Sequence, residues 1–410
     1  MARLPRHKTG MMARRPLLRG AVLSAAAAAL SACTGSLDSL NSNAVPAPGP
    51  EPQPVPPPGP QAGPIGGGAT RIALILPISA QGNAGVAAQS MKNAAEMAIA
   101  EFKNPDIQLL VKDDAGTPQG AQQGAQQALD EGARLIVGPL FAQSVGAAAQ
   151  VARPRGVPII AFSTDANVAA RGVYLLSFLP ESDVHRIVSY AVSRGKRAFA
   201  ALVPDNAYGA VVEAAFQQAV ARSGGRVVAL ERYPLSPGAM QEPARRIAQA
   251  AARADAIFIP DNAENVPQIA AALQAAGVNL KRVQLLGTGL WDDPRIFTAP
   301  GLAGGWFPAP ERAGFRAFSQ RYRGRYGQDP VRTATLSYDA VALVAALVKT
   351  QGQAGFSEQV LTNSSGFAGI DGVFRFRVDG TNERGLAVMQ VAPPDGQMIS
   401  PAPRSFAPGT

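Results

Sequence analysis

The residues able to carry covalent or acid–base chemistry are few, and their spacing argues against catalysis. A Ser-His-Asp relay needs a histidine beside the nucleophile to take its proton. The chain has two histidines, and outside the basic N-terminus only His185 remains, on a mixed helical face in "SDVHRIVSYAV". No G-x-S-x-G elbow is present. A metal centre needs His, Cys or carboxylates clustered at ligand spacing. Asp113-Asp114 and Asp292-Asp293 are adjacent pairs whose side chains diverge, with no histidine partner, and they suit turns and caps. No phosphate loop occurs, and "GTG" at Gly287 to Gly289 lacks the third glycine of a dinucleotide fingerprint. Asp205, Asp261, Glu264 and Asp292 are the carboxylates that a fold can bring to one cleft. A two-carboxylate glycoside hydrolase stays open on that ground alone. The expectation is a chain without catalytic residues, cofactor or metal.

What remains is recognition. Arg134 to Gly146 reads "RLIVGPLFAQSVG", an aliphatic run stopped by Gly-Pro and followed by hydroxyl, amide and small residues. At the end of a buried strand such a segment forms a binding wall, and the surrounding pattern puts it there. Continuous apolar runs at 71–77, 107–112, 134–137 and 157–161 predict strands. Between them, helical spacing predicts helices at 85–102, 118–132 and 144–155, with Thr117-Pro118 as a cap and Gly156 as a stop. The run 173–179 follows its predecessor with no helix between, and the alternation then restarts. Helices at 182–194, 209–223, 240–252 and 266–276 interleave with strands at 198–203, 226–232, 256–259 and 283–287. Continuous rather than alternating hydrophobicity means parallel sheets buried on both faces. The fold class is α/β, with two doubly wound parallel-sheet lobes. Helices at 313–326 and 334–350 follow, then a hairpin-like segment 372–391 turning at Asp379-Gly380. In such sheets ligands gather outside the carboxyl ends of the strands, so the loops after each strand matter most.

The formal charge of +9 looks like a polyanion signal, but Arg3, Arg6, Lys8, Arg14, Arg15 and Arg19 supply six positive charges with no acid among them. Without them the balance is +3, which gives no reason to expect a nucleic-acid partner. The apolar run Gly20 to Ala32 that follows is too short for the roughly 20 residues of a membrane-spanning helix. "LSAC" at Leu30 to Cys33 resembles a bacterial lipobox, which implies cleavage before Cys33 and lipidation of its thiol. Arg14-Arg15 loosely resembles a twin-arginine signal. Cys33 is the single cysteine, so no intramolecular disulfide forms. Thr34 rather than aspartate after the lipidated residue implies outer-membrane sorting in a two-membrane cell. Residues 41–69 are proline-rich and favour an extended stalk at about 3.1 Å per residue, with Gly66 to Gly68 as a swivel. The expected organisation is a signal over 1–32, a lipidated linker over 33–70, a binding domain over 71–392 and a flexible tail over 393–410. Lobe 1 would take about 71–177 plus 310–352, and lobe 2 about 178–309 plus 370–392.

"RIALILPISAQGNAGVAAQSMKNAAEMAIAEF", "IVGPLFAQSVGAAAQVARPRGVPIIAFSTD", "VPDNAYGAVVEAAF" and "TLSYDAVALVAALV" resemble the type I periplasmic binding proteins of the Leu/Ile/Val-binding family. The resemblance spans Arg71 to Val391 and implies two lobes joined by three crossings, closing over a small polar, amino-acid-like ligand for an ABC permease. It places the first-lobe wall at Leu140 to Ser144, including Phe141 and Ser144, and at Ser163, Thr164 and Asp165, where hydroxyls and helix N-terminal N–H groups hold a carboxylate. It places Tyr208 as the aromatic cover, with Asn262, Glu264 and the segment Gly289 to Trp291 completing the second lobe. Two departures stand out. Ala142 replaces a serine, and Gly289 replaces the carboxylate that pairs with an ammonium, whose unpaired burial costs several kcal/mol; Glu264 or Asp261 would have to substitute. "ALILPISAQG" is also similar to the C-terminal domain of penicillin-binding protein activators, outer-membrane lipoproteins that contact a peptidoglycan synthase. The alternative partner is therefore such a synthase.

Overall fold

Strand β1 (Thr70–Leu76) shows why the apolar runs are continuous. Ile72, Leu74 and Leu76 point into one core, while Ala73 and Ile75 point into the core on the opposite face, and all are fully buried. In the computed structural model, residues 63–102, 105–236 and 238–406 are described. Cys33, the signal and most of the linker lie outside these residues.

The chain continues through α1 (Asn83–Glu101), β2 (Ile107–Asp113), α2 (Pro118–Asp130), β3 (Ile136–Val137), α3 (Ala142–Ala152), β4 (Ile159–Ala161) and β5 (Val173–Leu175). Thr117 caps α2 by accepting from the Gly120 N–H at 3.0 Å. Gly156, at φ 68°, ends the turn after α3 in the left-handed region that glycine tolerates best. The five strands form a parallel sheet in the order β2-β1-β3-β4-β5. Helix α1 covers one face and α2 with α3 the other.

The second lobe repeats the device with α4 (Pro180–Ser193), β6 (Ala198–Pro204), α5 (Ala207–Arg222), β7 (Arg226–Tyr233), α6 (Gln241–Ala251), β8 (Ala256–Phe258), α7 (Val266–Ala275), β9 (Gln284–Leu286), α8 (Pro294–Phe297) and β10 (Trp306–Ala309). The remaining elements are α9 (Arg312–Tyr326), α10 (Ala334–Gln351), α11 (Glu358–Leu361), β11 (Phe367–Gly369), β12 (Gly372–Phe376), β13 (Asn382–Arg384), β14 (Ala387–Gln390) and β15 (Gln397–Ser400). The second sheet has the order β15-β14-β10-β9-β8-β6-β7, in which β7-β6-β8-β9-β10 mirrors the first lobe. Helices α4 and α5 cover one face, and α6 with α7 the other.

Four expectations differ from the structure. The segment 372–391 is not one hairpin. Strands β12 and β13 pair with each other and send Phe374 and Phe376 into the first lobe's core, whereas β14 crosses to pair with β10 in the second sheet. The tail does not simply fray, because β15 pairs antiparallel with β14 and Phe406 is buried under Arg375. The glycines expected to swivel instead lie along β2, with Ile65 and Leu109 exchanging hydrogen bonds of 3.0 and 2.8 Å and the Gly68 N–H donating to the Ile107 carbonyl. Strand β10 escaped the sequence reading because "GGWFPAP" reads as a loop. Its parallel pairing to β9 is confined to Trp306 and Leu286, so Pro308 interrupts no bond on that side.

Candidate functional site

Both sheets change direction at one point in their strand order, between β1 and β3 and between β6 and β8. In open α/β sheets the crevice forms where the following loops diverge. The residues singled out from sequence fall into these loops or their neighbours. Phe141 ends the loop after β3 and stays 39% exposed. Tyr208 opens α5 after β6, and Asn262 with Glu264 lies between β8 and α7.

In the first lobe Ser163 is buried and accepts from the Asp165 N–H at 3.1 Å. Asp165 in turn accepts from the Asn167 backbone and side-chain nitrogens at 2.9 Å each, capping the short turn 166–168. Thr164 and Asp165 are exposed. Ser144 departs from expectation. It is fully buried and donates to the Thr117 carbonyl at 3.3 Å, so it ties α3 to the start of α2 rather than facing a ligand. Beside it, burial pushes the Asp114 carboxyl up to about 6, partly offset by the N–H of Gly116.

In the second lobe the Tyr208 hydroxyl shares a 3.0 Å hydrogen bond with Thr288 Oγ1, and burial pushes the phenol well above its ordinary range. Asn262 caps the chain entering α7, accepting from the N–H groups of Glu264 at 2.9 Å and Asn265 at 3.3 Å. Asp261 is buried and held by the Tyr233 hydroxyl and the Asn265 amide, so it is a structural acid. Glu264 is exposed. Trp291 also departs from expectation. It is fully buried, its indole N–H donates to the Ile259 carbonyl at 3.0 Å, and it packs against Gly287, where an added Cβ would meet the ring at 2.1 Å. Trp291 belongs to the lobe's core, and Leu290 beside it, 45% exposed, is the residue turned outward.

One acid escaped the sequence reading. The Gly289 N–H donates to Asp183 Oδ2 at 2.8 Å, and an added Cβ on Gly289 would lie 2.9 Å from that oxygen. The carboxylate of Asp183, in the first turn of α4, thus fills the space a side chain at 289 would take. Burial holds it up to about 7, with Glu181 adding repulsion and the Gly289 N–H and Arg384 opposing the shift. Only the fold could reveal this pair, because the two residues are 106 positions apart.

The three crossings between lobes run through 176–179, 310–311 and 385–386. The first and third are stitched together. Asn382 Nδ2 donates to the carbonyls of Leu175 and Ser177 at 2.8 Å each, and Arg384 Nε donates to Ser177 at 2.9 Å. Phe178 sits between two guanidinium groups, with Arg332 at 4.7 Å and Arg384 at 4.5 Å from its centroid. Arg332 is anchored by two hydrogen bonds to Asp371, at 2.9 and 2.6 Å. Both terminal nitrogens of Arg384 are enclosed without a hydrogen-bond partner. Beside this hinge a groove of about 880 Å³ is lined from both lobes, by Asp165 and Asn167 on one side and Val211, Ala215 and Gln218 of α5 on the other. Of the site residues expected from sequence, Asp165 alone lines it.

The arrangement is a pair of similar lobes, stitched at one edge and flanked by a groove. A family model described as "Periplasmic binding protein" matches residues 69–397. No curated protein sequence matches the chain. Among solved structures, a putative branched-chain amino acid ABC transporter protein from Rhodospirillum rubrum is 18% identical with a TM-score of 0.71, covering 81% of this chain and 100% of its own. A leucine binding protein from Thermotoga maritima is 18% identical with a TM-score of 0.54, covering 83% of this chain and 99% of its own. An ABC transporter solute binding protein from Rhodopseudomonas palustris, in complex with 3,4-dihydroxybenzoic acid, is 20% identical with a TM-score of 0.56, covering 82% and 97%. At these identities the structures share the fold. With the family model covering most of its length, the chain belongs to the periplasmic binding protein family.

Proposed function

We propose that the chain is a non-catalytic, exported, lipid-anchored receptor that closes its lobes over a small polar, amino-acid-like solute and presents it to an ABC-type permease. The observation that carries this reading is the repeated strand order. It sets Phe141, Thr164 and Asp165 at the carboxyl edge of one sheet and Tyr208, Asn262 and Glu264 at the carboxyl edge of the other, and Asp165 also lines the groove that the two lobes share. Two of the carboxylates that a hydrolase would need are engaged elsewhere: Asp261 holds Tyr233 and Asn265, and Asp292 pairs with Arg312. The anchor rests on Cys33 within "LSAC", and the branched-chain amino acid, leucine and aromatic acid proteins sharing the fold set the range of solutes to try.

Thermal denaturation in the presence of amino acids tests the receptor reading. A ligand that binds only the folded clamp raises stability by RT ln(1 + [L]/Kd), about 2.7 kcal/mol at 100 times Kd. A flat melting temperature across amino acids and related organic acids and amines would reject solute delivery. For the anchor, Cys33→Ala is expected to move the protein from the membrane fraction to the soluble one, and unchanged partitioning would reject it.

A further inference from the structure

Charge is distributed unevenly over the second lobe. Strands β6 to β10 run parallel, so the segments leading into them meet at one edge of the sheet. Those segments, residues 194–197, 222–226, 252–255, 276–283 and 298–305, carry eight lysines and arginines and one acid. The segments leaving the same strands at the opposite edge, residues 205–206, 234–240, 259–265, 287–293 and 310–311, carry six acids and no base. Positive charge thus gathers on the edge turned away from the crevice.

These bases are not spent on internal pairs. Elsewhere in the lobe Arg232, Arg246 and Arg295 pair with Glu213, Glu231 and Asp293. None of the eight forms an ion pair among the described residues. The one acid beside them, Asp255, is taken by the backbone N–H groups of Arg197 and Ala198 at 2.8 Å each. Arg226, Arg253, Lys281 and Arg282 are exposed and make no side-chain hydrogen bond. Backbone bonds join the segments into one rim: the Arg226 N–H donates to the Arg197 carbonyl at 2.8 Å, and the Gln284 N–H to the Asp255 carbonyl at 3.1 Å. The first lobe is built otherwise, since Arg155 and Arg171 at its matching edge pair with Asp130 and Glu358. Like charges held together without counter-charges repel one another, and a surface of opposite sign relieves that repulsion.

We propose that this basic rim is an interaction surface for the anionic phosphate headgroups of the bilayer that anchors the chain. It seats the second lobe on the membrane with the carboxyl edge of its sheet turned away. The inference goes beyond solute binding and rests on the anchor at Cys33. Cys33 lies 30 positions before Gly63, at most about 100 Å of chain. A tether of that reach keeps the bilayer at high effective concentration around the domain. Loop tips in a row along a sheet edge meet a planar array of headgroups, whereas a single small anion would need them to converge on a pocket. With a screening length of about 8 Å at physiological salt, the rim orients a domain that lipid holds rather than holding it alone.

Cosedimentation of the mature, unlipidated chain (residues 33–410 with Cys33→Ala) with vesicles tests the rim without the anchor or the basic N-terminus. At low salt the chain should bind phosphatidylcholine vesicles containing about one third phosphatidylglycerol, ignore phosphatidylcholine alone, and come off as salt is raised to about 0.3 M. Replacing Arg226, Arg253, Lys281 and Arg282 together by Gln should weaken binding about fivefold per base, several hundred-fold in all. Replacing four exposed first-lobe bases, Arg134, Arg153, Arg316 and Lys349, by Gln removes the same net charge and should change binding little. Melting temperatures report whether each variant is folded. Equal losses in the two variants, or no preference for anionic vesicles, would overturn the inference. Retention on heparin without vesicle binding would assign the rim to a soluble polyanion and overturn it as well. Either result leaves the anchor standing, because the anchor is judged by the partitioning of Cys33→Ala in cells.

Discussion

Asp339 lies in α10 directly under the hinge, with 4% of its surface exposed, and burial pushes its carboxyl up to about 7. Its Oδ1 accepts from the Ile370 N–H at 2.9 Å, while Oδ2 is enclosed without a partner against Gly369. Arg384 and Arg332 favour its charge and Asp371 opposes it, but none forms an ion pair with it, so desolvation dominates. A carboxyl raised in the folded state binds more protons there than in the unfolded chain. It therefore contributes stability that is fully present below its ordinary value of 3.8 and is lost as pH rises through about 7. Between pH 5 and 8 the loss attributable to this group is about 2–3 kcal/mol, from roughly two pH units of differential protonation at 1.36 kcal/mol each. Asn at this position keeps an acceptor for Ile370 and cannot ionise. Asp339→Asn should match the wild type near pH 5, exceed it by most of that margin at pH 8, and flatten the pH profile of urea-unfolding midpoints. A variant destabilised equally at both pH values would refute the reasoning, because it would mean that ionised Asp339 is the counter-charge holding Arg384.

Two further outcomes follow from the geometry. Trp291→Phe should cost about 1–3 kcal/mol, from the lost indole hydrogen bond and the smaller ring, and leave ligand affinity unchanged in titrations. Truncation after Ala392 removes β15 and the buried Phe406, so it should lower the melting temperature by several degrees rather than leave it unmoved as loss of a frayed tail would.

The alternation of apolar runs and helical stretches made both lobes legible, because the parallel strands inside each sheet are buried on both faces and some helices carry a cap or stop of recognisable type. Thr117-Pro118 and Gly156 do in the fold what their types imply. What escaped was decided by pairing between distant segments. Pro308 disguised β10, and nothing local marks the point after β13 where the chain leaves one lobe for the other. The site divides in the same way. Residue type and position brought Phe141, Tyr208, Asn262 and Glu264 to the carboxyl edges, but neither separates a ligand-facing side chain from a packed one. Ser144 and Trp291 are buried because α2 and Gly287 lie over them. Asp183 sits against Gly289, in another loop, because that residue has no side chain.

The central claim is that the two lobes move together over a ligand. Spin labels at Gln123→Cys on α2 and Lys281→Cys before β9, both exposed and one on each lobe, report that motion directly when Cys33 is replaced. On adding whichever solute raises the melting temperature, the interlobe distance distribution should shift to shorter values and narrow. A distribution that stays put while the solute is demonstrably bound would contradict the clamp.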